Sequence, residues 1–286
     1  MAERNKNQAR TRMPQEALHG LEGPLVRLNE AMNQTPAGRK QVAAWQRGVA
    51  GPFVRWVTKY RWELHHLERV QAVTPKRGTI LVANHRSLFD MFVTLSVLFI
   101  EHGMYRNLLF PVRAPFFYTN PLGPVVCGLF SGFSMWPPVF RDERRSALNP
   151  IGIRQILEAL EEPGTCVGMH PEGARNKNDD PYSLLPARPG IGQMIQQAHP
   201  ETLIVPLFMQ GLSNDFALEV RRKLSPRLGA EAPPIRWVFG EPATAGELAR
   251  IGDAATIANH LLDERIGALA EEARRIASGA RIVAAA

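Results

Sequence analysis

The stretch Thr79-Ile80-Leu81-Val82-Ala83-Asn84-His85-Arg86-Ser87-Leu88-Phe89-Asp90 runs an apolar, β-branched segment straight into a polar turn holding a histidine, a serine and an aspartate. The apolar run carries no charge and follows the turn residues Pro75-Lys76-Arg77-Gly78, so it predicts a strand buried on both faces, as in parallel sheets. His85 and Asp90 cannot meet on one helix, because five residues of helix turn two side chains about 140° apart. They can meet if His85 sits at the strand end and a helix begins near Ser87, a candidate N-cap, with Asp90 reaching back from the first turn. An aspartate on one ring nitrogen fixes the tautomer and leaves the other nitrogen free to take a proton from an alcohol. The same spacing also suits solvated residues at a helix end.

Outward from this strand the pattern alternates as in α/β proteins. Strands are predicted over 69–73, 79–83, 108–112, 135–140, 165–169, 203–208 and 235–239. Helices are predicted over 90–101, 149–161, 190–198 and, as one or two pieces, 246–278, with Pro163-Gly164 ending the second. The expected architecture is α/β: a mixed, mostly parallel central sheet flanked by helices, with an N-terminal amphipathic helical pair. Such sheets place their chemistry just past strand ends.

A second polar turn follows a strand in Val167-Gly168-Met169-His170-Pro171-Glu172-Gly173-Ala174-Arg175-Asn176. It reads either as an ordinary turn with two solvated charges or as an anion site. In the latter, the forked guanidinium of Arg175 binds a phosphate, Gly173 lets the backbone approach, and Glu172 holds a hydroxyl or the arginine.

Taken together, Asn84-His85 through Asp90 and Pro171-Glu172-Gly173-Ala174-Arg175 resemble the glycerolipid acyltransferase family, whose best-known members are the 1-acylglycerol-3-phosphate acyltransferases. Phe140-Arg141 between the blocks and Leu203-Ile204-Val205-Pro206-Leu207 after them fall in the family's order, and the resemblance covers roughly residues 65 to 245. Ala174 stands where the family usually has threonine and His170 where it usually has phenylalanine. Arg141 lacks the usual preceding glycine and aspartate. These departures bear on the acceptor more than on the reaction type.

The resemblance implies transfer of a fatty acyl group from a thioester, acyl-CoA or acyl-ACP, to the free hydroxyl of a lysophospholipid, foremost 1-acylglycerol 3-phosphate. It implies His85 as base and Asp90 as the group orienting it, with Arg175 holding the acceptor phosphate and Arg141 and Arg113 as further candidates. Glu172 and Gly173 then shape the same site, and Asn84, Ser87 or main-chain N–H groups are candidates to stabilise the oxyanion. No cofactor or metal is expected beyond the thioester co-substrate. Acyl carrier protein is a partner if it is the donor.

Two rival readings carry different tests. His85, Asp90, His170 and Glu172 have ligand chemistry for a hydrolytic metal, though no His-x3-His pair occurs and Arg175 would oppose a dication. Alternatively, a non-enzymatic lipid sensor would bind lipid without regard to His85.

With 286 residues and 45% hydrophobic content the chain has room for one large α/β domain and an appendage. A formal charge of +7 fits an anionic membrane or phosphorylated substrate, while scattered basic residues without a recognised motif argue against nucleic acid. Cys127 and Cys166 offer neither a disulfide framework nor metal-binding spacing. Residues 1–38, rich in Asn, Gln, Arg and Pro, are expected to be a disordered tail without a secretory signal.

Residues 39–67 repeat apolar positions at Val42, Trp45, Val49, Phe53, Trp56, Tyr60, Leu64 and Leu67, predicting a helical face split by Gly51-Pro52. Arg47, Arg55, Lys59 and Arg61 between these aromatics suit either an interfacial segment with cations towards lipid phosphates or helices packed on residues 68–286, the expected catalytic domain. The uncharged stretch Ala114 to Phe140 is too broken by proline and glycine to span a bilayer. The expected location is therefore peripheral and monotopic, on the cytoplasmic face of a membrane.

Overall fold

The computed structural model describes residues 10–120 and 122–279. Its centre is a sheet built from β1 (Trp62–His65), β2 (Thr79–Ala83), β3 (Asn107–Leu109), β6 (Thr165–Met169), β7 (Leu203–Gln210), β8 (Ile235–Phe239) and β9 (Ala243–Thr244). A separate two-stranded ribbon pairs β4 (Val112–Arg113) with β5 (Pro138–Val139). The strand order is β1-β8-β7-β2-β6-β3, with β9 paired to β7. Only the pairings of β7 with β8 and with β9 are antiparallel. The mixed, mostly parallel α/β sheet read from the sequence is the observed fold.

β2 lies between β6 and β7, both parallel to it, and every residue of Thr79–Ala83 is buried. Its side chains divide by parity. Leu81 and Ala83 enter one apolar layer with Val54, Phe92 and Trp237, whereas Ile80 and Val82 enter the other with Ile195, Leu261 and Leu262. Helices therefore cover both faces and leave only the strand ends open for chemistry. Pro206, which has no N–H to give, is tolerated inside β7 because the strand changes partner there, from β9 at Leu203–Ile204 to β8 from Leu207 onward.

Several local expectations are corrected. The stretch 69–73 is no strand: Leu67–Gln71 is a short helix, and the edge strand lies earlier at Trp62–His65, inside the segment expected to be wholly helical. The expected strand over 108–112 is interrupted between β3 and β4, and only Pro138–Val139 of 135–140 is extended and paired. Phe216–Leu224 and Pro226–Ala230 are helices that the periodicity did not reveal.

The helix beginning at Pro36 does not break at Gly51-Pro52 but continues to Thr58. A wider π turn over Gln46–Ala50 absorbs the proline, with the Gly51 N–H reaching back to the Gln46 carbonyl. That slack accommodates a ring that would otherwise strike the preceding turn.

The tail expected through residue 38 is ordered within the described residues, while residues 1–9 lie outside them. Glu22–Gln34 is a helix anchored by polar groups. Glu22 takes both guanidinium nitrogens of Arg145 at 2.8 and 2.9 Å. Buried Glu30 accepts from Met13 N at 2.7 Å and Gln155 Nε2 at 2.8 Å. A helix held by buried hydrogen bonds leaves little hydrophobic periodicity to read.

Candidate active site

Two turns at the carboxyl ends of β2 and β6 form one unit. Glu172, 2% exposed, accepts from the main-chain N–H of His85 and, at 2.8 Å, from that of Leu185. Asn176 N donates to the His85 carbonyl at 2.7 Å. Glu172 therefore braces the backbone of the histidine turn, and neither an arginine nor an open hydroxyl site occupies its oxygens. Burial pushes its carboxyl up to about 7, against the lowering effect of those N–H donors.

The histidine and aspartate meet as expected. His85 Nδ1 lies 3.3 Å from Asp90 Oδ2, which also accepts from Arg86 N at 2.8 Å and Ser87 N at 2.7 Å. The helix begins at Asp90 itself, so the aspartate rather than Ser87 secures the turn. Because an ionised carboxylate only accepts, the neutral ring carries its proton on Nδ1 and its lone pair on Nε2. Burial raises the Asp90 carboxyl to about 6.

His85 is held far below an ordinary histidine, at about 3, first by burial and then by the charges of Arg175 and Arg113. Its side chain nevertheless keeps 18% exposure, so the imidazole is neutral and reachable. Against its face lies His170, whose ring stacks at 3.9 Å with a 13° tilt and whose Nδ1 donates to the Ala83 carbonyl at 3.0 Å. Burial and the neighbouring His85 depress this second imidazole likewise, to about 3.

The two oxyanion candidates are committed elsewhere. Asn84 bonds across to β7, giving Nδ2 to the Met209 carbonyl at 2.9 Å and accepting from Met209 N at 2.7 Å. Ser87 Oγ donates to the Ser213 carbonyl at 2.7 Å, and its N–H is held by Asp90. Both hold the turn in shape and leave no donor aimed at a reacting carbonyl.

Around Gly173 the arginines converge. Arg113 donates to its carbonyl at 2.7 Å and Arg141 donates to the same oxygen. Gly173 adopts φ +61°, and a Cβ there would stand 3.2 Å from Arg141 Nη2 and 3.3 Å from Arg188 Cγ. Arg175 is exposed and reaches Asn214 Oδ1 at 2.8 Å. These arginines lean on carbonyl and amide oxygens rather than carboxylates, leaving their charge available to an anion. Arg188 escaped the sequence reading: it lies outside both motifs, and only the fold brings it to Gly173. Mutual repulsion shows in Arg113, whose pKa falls through burial and then through Arg141 and Arg175.

His85, Asp90 and His170 place potential ligand atoms within 4.8 Å of one another, a donor set able in principle to hold a metal ion. Glu172, the fourth residue of the metal reading, turns to the backbone instead. A dication would also face Arg113 and Arg175, the same charges that oppose protonation of His85. The residues present fit an uncharged base beside an anion site better than a metal centre.

A neutral, largely buried imidazole stands at one strand end and an arginine cluster at the next. The protein-family model described as Acyltransferase matches residues 61–210, just over half of the chain, and takes in both turns. The chain belongs to this acyltransferase family, the glycerolipid acyltransferases that include the lysophosphatidic acid enzymes.

Proposed function

We propose that the protein moves a fatty acyl group from an acyl thioester, acyl-CoA or acyl-ACP, to the free hydroxyl of 1-acylglycerol 3-phosphate, giving phosphatidic acid. The observation that carries this reading is the neutral His85 imidazole standing beside arginines that meet no carboxylate at Gly173. His85 Nε2 takes the acceptor's hydroxyl proton as that oxygen attacks the thioester carbonyl. The tetrahedral centre then collapses with loss of the thiolate, which recovers a proton from the imidazolium. Asp90 orients the ring throughout, and the cycle uses no cofactor and no metal.

Arg175, Arg141 and Arg113 hold the acceptor phosphate. Binding it also changes the base, because a phosphate offsets the guanidinium charges that depress His85 and so raises its basicity when the acceptor is in place. A phosphate monoester gains more from several arginines than a zwitterionic head group does. Apolar surface for the chain lies on the same side: Phe89, next to Asp90, packs on Phe216 at 4.8 Å, and Phe216 on Phe53 at 5.9 Å, a line of packed aromatic rings between His85's turn and an exposed aromatic face.

That face supports a peripheral position on an anionic membrane. Among the described residues no helix is long and apolar enough to cross a bilayer. Exposed Trp45, Val49, Phe53, Trp56 and Tyr60 adjoin the helix Gly123–Ser131, with exposed Leu122 just before it and exposed Val125 and Leu129 on it, and Trp45 Nε1 donates to the Leu129 carbonyl at 3.0 Å. The result is one broad apolar patch.

Arg175→Lys tests the head-group assignment. An ammonium lacks the bidentate fork, so the variant should lose about tenfold in kcat/KM with 1-acylglycerol 3-phosphate and little with uncharged 1-acylglycerol. Equal loss with both acceptors would make Arg175 structural.

A further inference from the structure

At the carboxyl ends of β2 and β7, beside the turn that carries His85, lies an open cleft of about 370 Å³. Arg86, Asn176, Lys177, Gln210, Ser213 and Asn214 line it, so its walls combine two cations with amide and hydroxyl groups. The Arg86 guanidinium donates to the main-chain carbonyls of Asn178 at 2.7 Å and Asp180 at 3.2 Å. Of the acids beside the lining residues, Asp180 is bonded to Arg274 at 2.9 Å and Asp215 to Arg221 at 3.4 Å. The cleft is thus a positively charged, hydrogen-bonding pocket, and its volume falls within the range of about 300–1,000 Å³ usual for small-molecule sites.

Asn214 is common to the cleft and the arginine cluster. Asn214 lines the cleft while its Oδ1 accepts from Arg175 at 2.8 Å and from Leu88 N at 3.1 Å. Cations for two different anions therefore lie on either side of Asn214: Arg175, Arg113 and Arg141 on one side, Arg86 and Lys177 on the other. A bimolecular transfer between two phosphorylated substrates calls for such a division.

Resting on the acyl-transfer reading above, we propose that this cleft holds the phosphorylated pantetheine arm of the thioester donor. The Gln210 and Ser213 side chains match the arm's amides and hydroxyl, and Lys177 and Arg86 match its phosphate, while Asn176 and Asn214, bonded within the protein, hold the walls. Coenzyme A and acyl carrier protein present their acyl sulfur on the same arm, so the cleft serves the chemistry they share. Once the acyl group has left, the thiol departs through the cleft while the acceptor phosphate stays with its own arginines.

The test is steady-state kinetics of the full chain and its Lys177→Glu and Lys177→Gln variants with palmitoyl-CoA, palmitoyl-ACP and palmitoyl-pantetheine, which lacks the phosphate. Lys177 is exposed, so both variants should fold. Charge reversal should raise KM for both phosphorylated donors by about tenfold, with Lys177→Gln intermediate. KM for palmitoyl-pantetheine, KM for the acceptor and kcat should stay unchanged. A rise with palmitoyl-CoA alone would place the nucleotide phosphates rather than the arm's phosphate at Lys177 and overturn the assignment. An unchanged donor KM, or a rise in acceptor KM instead, would overturn the assignment. Wild-type protein that transfers from none of the three donors would sink the acyl-transfer reading itself, a result separate from active protein with indifferent variants.

Discussion

Four neighbours act on the His85 ring in three different ways. Asp90 orders the ring through Nδ1, His170 stacks against it, and Arg175 and Arg113 oppose its protonation. His85→Ala should cost about 10²- to 10⁴-fold in kcat with the circular dichroism spectrum unchanged, since a neutral alcohol is a poor nucleophile without its base. Asp90→Asn should also be severely impaired, because the ring then loses the acceptor that sets its tautomer. The pH dependence follows from the same contacts. Burial raises Asp90 to about 6 and depresses His85, so the pair stays ready as pH falls towards 6, and kcat/KM should drop below that. Removing the guanidinium in Arg175→Gln makes protonation of the pair easier and should move this acid limb to higher pH. A bound acceptor phosphate acts with the same sign, so the limb in kcat should lie above that in kcat/KM. Identical limbs in all three profiles would show that the arginines do not act on the base. At this scale the sequence was readable where the spacing is short: the pairing of His85 with Asp90 was legible. Arg188 and the backbone role of Glu172 were not, because contacts from Gly173 to Arg188 and from Glu172 to His85 exist only after the strands assemble.

Among the elements, the turns after β2 and β6 behave as one piece, joined by Glu172 and by the bond from Asn176 to His85. Glu172→Gln replaces one accepting oxygen with a donor facing an N–H, so the turn should loosen. We expect a lower melting temperature and about tenfold lower kcat, equally for acceptors with and without phosphate; a loss seen only with the phosphate-bearing acceptor would give Glu172 a direct part in the head-group site. Gly173→Ala should cost about 1–2 kcal/mol for a side chain at positive φ. It should also raise acceptor KM, because the new methyl meets Arg141 and Arg188; unchanged KM would exclude those arginines from acceptor binding. The strands that are buried throughout and mostly apolar, such as Thr79–Ala83 and Ile235–Phe239, were evident from sequence. Edge and polar elements were not. Trp62–His65 is half-buried along its length, and Glu22–Gln34 is fixed by charged and amide contacts rather than by an apolar stripe.

Over the whole molecule, the sheet positions His85 at one end of a line of packed aromatic rings and the exposed face at the other. The cations expected to meet lipid are already engaged. Arg55 and Lys59 share Glu101, Arg61 is buried against Glu219, and Arg47 lies 4.4 Å over the Phe99 ring. Vesicle binding should therefore depend more on apolar insertion than on salt. The Phe53→Ala, Trp56→Ala double variant should bind anionic vesicles about tenfold more weakly, while added salt should weaken the parent only modestly. Co-sedimentation unaffected by the double substitution would place docking elsewhere. The central claim concerns the reaction itself, and its most direct measurement is mass-spectrometric detection of phosphatidic acid formed by purified protein from a palmitoyl thioester and 1-acylglycerol 3-phosphate, with 1-acylglycerol and His85→Ala run in parallel. The account predicts phosphatidic acid from the parent, a clear preference for the phosphate-bearing acceptor, and loss of product with His85→Ala. A folded His85→Ala protein that keeps most of the rate, or a parent that acylates 1-acylglycerol equally fast, would contradict it.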